Sequence, residues 1–253
     1  MTANGRRVAL VTGASRGIGA ACARKLAADG FAVAVNYARS GEAADALVTE
    51  IRSGGGEAAA IPADMSVPGE GERLVGETVE RLGPPLVLVS NAGIQRSRAL
   101  VRQSVQDWDA MWATNVNGAR EVTRAVLPHM YDSGWGRIVF ISSVLGATGG
   151  PGDSGYSATK AALLGMSKSL AQEVARRRIT VNAVLPGTIL TDLAASTDEA
   201  VLAANINFLA AKRAGEPDEV ASVVTFLASD AASYVNGAEI AVHGGGWVPL
   251  PPR

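Results

Sequence analysis

Cysteine is almost missing from this chain: Cys22 stands alone among 253 residues, so no intrachain disulfide can form and a reducing compartment is expected. Cys22 lies in a helix-like, alanine-rich segment and reads as a small core residue rather than a catalytic thiol. Histidine is nearly as scarce. His129 is isolated on a long helical stretch and His243 sits near the last strand, so the two cannot assemble a metal site. There is no excess charge of either sign, since 23 Lys and Arg against 24 Asp and Glu leave a formal net charge of −1. That balance supplies no field to attract nucleic acid or an anionic membrane. No apolar run approaches membrane-spanning length, and the run behind Arg6-Arg7, Val8 to Val11, is too short for the core of an export signal. A cytoplasmic protein is expected. Aromatic residues make up only 5%, while hydrophobic residues reach 47% with 29 Gly, a composition that suits a close-packed α/β protein and excludes disorder.

Along the chain, short β-branched runs alternate with longer alanine- and leucine-rich periodic stretches, which is βα punctuation. Strands are expected at Arg7 to Thr12, Ala32 to Asn36, Glu57 to Ile61, Leu86 to Val89, Arg137 to Ile141, Ile179 to Leu185 and Glu239 to Val242. Helices are expected from Gly17 to Asp29 and near 41 to 53, 68 to 82, 107 to 132, 154 to 178 and 216 to 228, with Asp107 and Pro217-Asp218 as start signals. Nearly continuous apolar strands separated by helices imply a parallel sheet covered on both faces. The fold class is therefore α/β, a doubly wound, Rossmann-type, seven-stranded parallel sheet. No linker, repeat or charge block divides the chain, so residues 1–253 read as one domain, with Thr191 to Gly215 as the only long insertion.

The first strand runs into Gly13, Ser15, Arg16, Gly17, Ile18 and Gly19 and then a helix. Small residues there admit a pyrophosphate to the backbone, and the helix N-terminus favours its charge. The same glycines also suit a purely structural strand-to-helix turn, and their spacing differs from the Gly-x-Gly-x-x-Gly fingerprint. At the end of the second strand, Asn36-Tyr37-Ala38-Arg39 offers no carboxylate before Glu42 to accept from a ribose 2′-hydroxyl. Arg39 and Arg16 would instead grip a 2′-phosphate, so NADP(H) is the expected cofactor; solvated surface arginines are the alternative. Asp64 can accept from an adenine amino group or cap a helix. Asn91 and Gly93 follow the fourth strand, where an open parallel sheet places its ligands. Asn115 sits inside an expected helix although Asn is a poor helix former, so something else must favour it. Ser143 ends the fifth strand, and Pro186, Gly187, Ile189 and Thr191 follow the sixth. Tyr156 and Lys160 lie four residues apart on one helix face. A cation near a phenol lowers its pKa from roughly 10, which would let the pair hand a proton to a carbonyl oxygen; taken alone, the pair is also an ordinary helix surface.

Together these residues resemble the short-chain dehydrogenases/reductases over nearly the whole chain. Thr12-Gly-x-x-x-Gly-x-Gly19, Asn91-Ala-Gly93, Asn115, Ser143, Tyr156-x-x-x-Lys160 and Pro186-Gly187 occur in that family's order. Within it, Val-Thr-Gly-Ala-Ser-Arg-Gly-Ile-Gly, the Asn-Tyr-Ala-Arg turn and Phe226-Leu-Ala-Ser-Asp230 are similar to 3-oxoacyl-[acyl-carrier-protein] reductases. The resemblance implies an NADPH-dependent ketoreductase acting on a 3-oxoacyl thioester or related polyketide-like ketone. The alternatives are an alcohol, sugar or steroid dehydrogenase of the same family and a non-catalytic NADP(H)-binding subunit. It implies that Tyr156 protonates the carbonyl oxygen while Ser143 bonds the same atom. Lys160 lowers the Tyr156 pKa and holds the nicotinamide ribose, and Asn115 holds a water leading to solvent. Ile189 and Thr191 meet the carboxamide and phosphates. A homotetramer built on the last strand and on the helices bearing Asn115 and Tyr156 is also implied.

Departures from the family pattern bear on the partner. In the loop Tyr131 to Gly136, where acyl-carrier reductases often place basic residues, only Arg137 follows. Arg176, Arg177 and Arg178 remain as docking charges for an acyl carrier protein, or as cations complementing a helix C-terminus. Ser90 replaces the usual Asn before Asn91, His243 replaces an Asp, and Leu209 to Gly215 lacks the Pro and Gly usual before its Arg. The changes from Asn205 to Gly215, in the insertion, imply a different substrate lid, whereas Ser90 keeps a small polar residue.

Overall fold

The structure is a computed structural model that describes residues 5–191, 203 and 206–246. Seven strands form one parallel sheet in the order β3-β2-β1-β4-β5-β6-β7. They are β1 (Val8–Val11), β2 (Ala32–Tyr37), β3 (Glu57–Pro62), β4 (Pro85–Ser90), β5 (Gly136–Ile141), β6 (Ile179–Pro186) and β7 (Glu239–Val242). Each lies within a residue or two of its expected position. Helices α1 (Gly17–Ala28), α2 (Gly41–Ser53), α3 (Glu70–Leu82), α4 (Val105–Trp112), α5 (Ala119–Ser133), α6 (Val144–Thr148), α7 (Ser154–Val174) and α8 (Pro217–Ala228) surround it.

The continuous apolar strands have a direct cause. Successive side chains of a strand point to opposite faces, and here both faces are covered. Val8 and Leu10 enter one core cluster with Leu74 of α3, Val122 and Met130 of α5 and Leu163 and Val174 of α7. Ala9 and Val11 enter a second cluster with Leu26 of α1, Leu47 of α2 and Val224 and Leu227 of α8. Cys22 is fully buried in this second cluster, and burial pushes its thiol up to about 12. It is a core residue and not a nucleophile.

Sheet order reverses between β1 and β4, the position at which open α/β sheets form a ligand crevice. The loops after β1, β4 and β5 meet there. At the opposite end of the strands, Trp135 is sandwiched between Arg7, 3.9 Å from its ring centre, and Arg137 at 4.3 Å. Trp135 Nε1 donates to Asp230 at 2.9 Å. Arg137 is buried, bonds the Ser229 and Arg178 carbonyls and pairs with Asp230. The one basic residue following that loop is thus a structural staple and not a docking charge.

The helix expected over 107 to 132 differs in kind. It begins earlier, because Ser104 accepts from the Asp107 N–H at 3.0 Å and caps α4. It then widens into a π-helical segment, Ala113–Gly118, before α5. The helix expected to reach 178 tightens after Val174 into a 3-10 turn, Ala175–Arg177. Short helix α6 carried no periodic signal of its own.

Candidate active site

The turn after β1 is held by Asn36 of β2 and by the residues that follow β4. Asn91 donates from Nδ2 to the Thr12 and Gly13 carbonyls at 2.9 and 3.0 Å. The Thr12 hydroxyl accepts from the N–H groups of Asn91 and Ala92. From the other side, Asn36 Oδ1 accepts from Gly13 N–H at 3.1 Å, and its Nδ2 donates to the Ile61 and Ala63 carbonyls. Gly13 has φ +61°, and a side chain there would stand 3.0 Å from the Ala92 Cα. At Gly19 a Cβ would lie 2.5 Å from the Gly13 carbonyl oxygen and 2.6 Å from Asn91 Nδ2. The backbone of the turn is therefore exposed to a ligand but locked from behind. The Arg16 side chain makes no cap bond at the start of α1, and the first turn carries no acidic residue, so the positive helix end suits an anion. Ile18 packs inward against the second core cluster, so any ligand contact there is through its backbone.

Asn36 and Asn91 were expected as cofactor contacts, and their side chains are engaged within the protein. They shape the cradle. Thr12 performs the same service and carried no signal in sequence beyond its place in the motif. Asp64 Oδ1 accepts from both the N–H and the hydroxyl of Ser66, at 2.9 and 2.7 Å. These bonds, with the nearby Arg39 cation, hold its carboxyl below the usual range. Asp64 heads a local turn, while the cap of α3 is Gly69. Arg39 and Arg16 are both exposed beside this crevice.

The second half of the site lies on α7, on α6 and in the widened turn. Ser143 caps α6, its Oγ accepting from Leu145 N–H at 3.1 Å, so the hydroxyl proton is left to donate elsewhere. Ser142 Oγ bonds the Lys160 carbonyl at 2.8 Å. At Gly146 an added Cβ would fall 2.8 Å from the carbonyl carbon of Lys160. Helix α6 thus lies tight against α7 and brings Ser143 to Tyr156.

Lys160 is buried, and its Nζ donates to the Ile141 carbonyl at 2.7 Å. It stands 5.7 Å from the centre of the Tyr156 ring. Burial alone lowers its pKa to about 8. The Tyr156 hydroxyl responds opposite to expectation. Burial pushes it up to about 12, the Ser143 hydrogen bond pulls it back, and the Asp153 carboxylate raises it further. Desolvating a phenolate outweighs the attraction of a cation placed beyond direct contact. In this state the phenol keeps its proton at neutral pH.

Asn115 explains its own anomaly. Its Oδ1 accepts from Ile94 N–H at 2.8 Å, and Nδ2 donates to the Ile94 carbonyl and to Thr159 Oγ1, at 2.9 and 3.0 Å. The π-helical widening turns this side chain inward to clamp the segment after β4 against α7. Both of its amide hydrogens are engaged, so only Oδ1 remains open to a water. Gly93 sits where a Cβ would lie 3.3 Å from Asn115 Oδ1 and 3.4 Å from Lys160 Nζ.

After β6, Gly187 N–H donates to the Val242 carbonyl at 2.9 Å, and a side chain there would meet His243. His243 Nδ1 accepts from Gly245 N–H, a local turn. Ile189 is buried and bridges to Gly215, and Leu190 N–H bonds the Gly215 carbonyl, so the two ends of the expected insertion run side by side. Thr191 lies against Gly17. Residues 192–202, 204 and 205, which make up much of the expected lid, lie outside the described residues. Lys212 takes the left-handed conformation, φ +54°, at the position where the resemblance led one to expect Gly. Beside it, Arg213 forms a double ion pair with Glu219, at 2.7 Å for each contact.

A family profile described as short chain dehydrogenase matches residues 7–202. A 3-oxoacyl-[acyl-carrier-protein] reductase of Synechocystis sp. is 45% identical over 246 residues, 97% of this chain and 98% of that protein. Reductases of the same name from Staphylococcus epidermidis and Pseudomonas aeruginosa are each 43% identical. They match 94% of this chain and 97% and 96% of their own lengths.

Proposed function

Because the chain belongs to the short-chain dehydrogenase family, we propose that it is an NADPH-dependent ketoreductase acting on a 3-oxoacyl thioester. The observation that carries this reading is the convergence of Ser143, Tyr156 and Lys160 beside a locked glycine turn. A nicotinamide dinucleotide fits the residues present: side chains are excluded at Gly13 and Gly19, and the first turn of α1 carries no acidic residue that would repel a phosphate. Ser15, Arg16, Gly17 and the backbone of Ile18 would hold its phosphates, with Thr191 alongside; Pro186, Gly187 and Ile189 would flank its nicotinamide end. When bound, the cofactor supplies the hydride.

The chain's own residues supply the rest. Tyr156, half-buried and kept protonated by the desolvation of its hydroxyl, gives its proton to the carbonyl oxygen as charge develops there. Ser143 donates to the same oxygen and fixes its position. Lys160, still largely cationic at neutral pH, stabilises the phenolate left behind and would bond the ribose. Loss of the Lys160 proton sets a pH limit. Its charge is present below about 8 and is lost as pH rises through that value, while Tyr156 stays protonated throughout. The reduction kcat/KM is expected to be level below about pH 8 and to fall about tenfold per unit above it, read from initial rates across a buffer series.

Exposed Arg39 and Arg16, with no carboxylate at the end of β2, support NADPH over NADH. Arg39→Ala is expected to weaken NADPH about tenfold to a hundredfold, the worth of a charge-assisted bond, and to leave NADH unchanged in a fluorescence titration. The test of the function itself is oxidation of NADPH and of NADH in the presence of a 3-oxoacyl thioester. Preference for NADH would sink the cofactor assignment, and turnover of free ketones alone would move the protein to the alcohol, sugar or steroid dehydrogenases.

For an acyl carrier protein as the substrate-bearing partner, the available charges narrow to exposed Arg176 and Arg177, the latter over the Tyr131 ring. Arg178 is tied to the Gly134 carbonyl. The half-exposed outer strand β7 supports a homo-oligomer, in our reading a tetramer, working in the cytoplasm.

A further inference from the structure

Asp153 stands at the cap position of α7, where an aspartate ordinarily bonds the first free N–H groups of its own helix. It makes no such bond. Its Oδ1 instead accepts from Gln95 Nε2 at 2.9 Å and from Ser97 Oγ at 2.6 Å, and Gln95 also reaches Ser97 at 3.1 Å. Beside them, Arg98 N–H donates to the Gly152 carbonyl at 2.7 Å. The segment after β4 is therefore fastened by Asn115 at Ile94 and by the helix start at residues 95 to 98, and Arg96 also pairs with Asp107 and accepts from Gln103 Nε2 at its carbonyl. Just before the first fastening it runs past Lys160 at Gly93, and the Asp153 end is three residues before Tyr156.

We infer that Asp153 is a positioning residue, a latch that holds the 94–98 segment against the start of the catalytic helix and so sets the width of the substrate entrance at Tyr156. The carboxylate suits this task because one oxygen can take two donors at once, and a short Asp side chain leaves no slack. Asp107 pairs with the Arg96 side chain at 3.8 Å, but among the described residues Asp153 is the carboxylate that bonds Gln95 and Ser97. The latch acts on substrate binding: with it open, a ketone still meets the same proton donor but in a wider range of poses, so KM changes more than kcat.

The kinetic part of the test rests on the ketoreductase reading, and the other part does not. Asp153→Ala is expected to raise the KM for a 3-oxoacyl thioester about tenfold with kcat within about threefold of the wild type. Asp153→Asn keeps an acceptor oxygen in place and is expected to restore both values. Gln95→Ala combined with Ser97→Ala opens the latch from the other wall and should reproduce Asp153→Ala, which covers the case in which that variant folds poorly. Independently of activity, trypsin should cut after exposed Arg96 and Arg98 about tenfold faster in the opened variants than in the wild type or Asp153→Asn. Unchanged KM together with unchanged cleavage in Asp153→Ala would overturn the latch. If the wild type reduces no ketone at all, the function assignment falls, while the cleavage rates still decide the latch.

Discussion

Tyr156→Phe is expected to lower ketone reduction about a thousandfold, within the range of roughly 10²–10⁴ that a positioned general acid contributes, while NADPH binding stays within about threefold. The ring remains and packs as before, so the loss isolates one hydroxyl. The geometry sharpens the expectation. Burial raises that hydroxyl to about 12, so it is protonated at neutral pH, and the phenolate it leaves takes up a proton again before the next turnover. Ser143, with its Oγ already accepting from Leu145, can orient the carbonyl but has no comparable acidity to replace the phenol. The measurement is single-turnover NADPH oxidation beside a fluorescence titration of cofactor. Retention of more than a tenth of the wild-type rate would remove Tyr156 from its role. If the variant lost all turnover and the cell's phenotype did not change, catalysis would not be the function, and a cofactor-binding subunit would be the better description.

Gly19→Ala is the second large effect, and it operates on the other half of the site. A Cβ at this position would lie 2.5 Å from the Gly13 carbonyl oxygen and 2.6 Å from Asn91 Nδ2. Neither atom can retreat. The first belongs to a backbone bonded by Asn91, and Asn91 Nδ2 is also held by the Thr12 carbonyl. Overpacking at such a point costs about 1–3 kcal/mol of stability, and the cradle must widen to absorb it. NADPH affinity is expected to fall about a hundredfold, since several phosphate contacts share one turn geometry. Urea unfolding and cofactor titration on the same preparation measure the two losses. Gly76→Ala is the matched control. That glycine is exposed in α3 with nothing within 4 Å of an added Cβ. There the substitution should stabilise by about 0.5–1 kcal/mol and leave NADPH binding untouched.

Much of the sheet was legible because its signal is local. Val8 to Val11 must be apolar at every position when both faces are covered, and that leaves a continuous run in the sequence. Asn115 was legible as an anomaly but not as a clamp, since its partners Ile94 and Thr159 are 21 and 44 residues away. Asn36 appeared in sequence as a ligand contact for the same reason: its place at a strand end could be read, whereas its bonds to Gly13, Ile61 and Ala63 could not. Arg137 is the reverse case. A basic residue after a loop suggests a surface charge, and burial beside Trp135 and Asp230 turned it into a staple.

Sequence by itself determined the order of strands and helices, the glycine turn, and the presence of Tyr156 and Lys160 on one helix face. Each of these follows from spacing over a few residues, which backbone geometry converts directly into structure. The tertiary structure alone decided how those groups behave. Whether the phenol gains or loses acidity depends on how completely it is desolvated against how near the cation stands, and folding sets both. The latch at Asp153 joins residues 58 and 56 positions apart, and no local pattern encodes a contact across that distance.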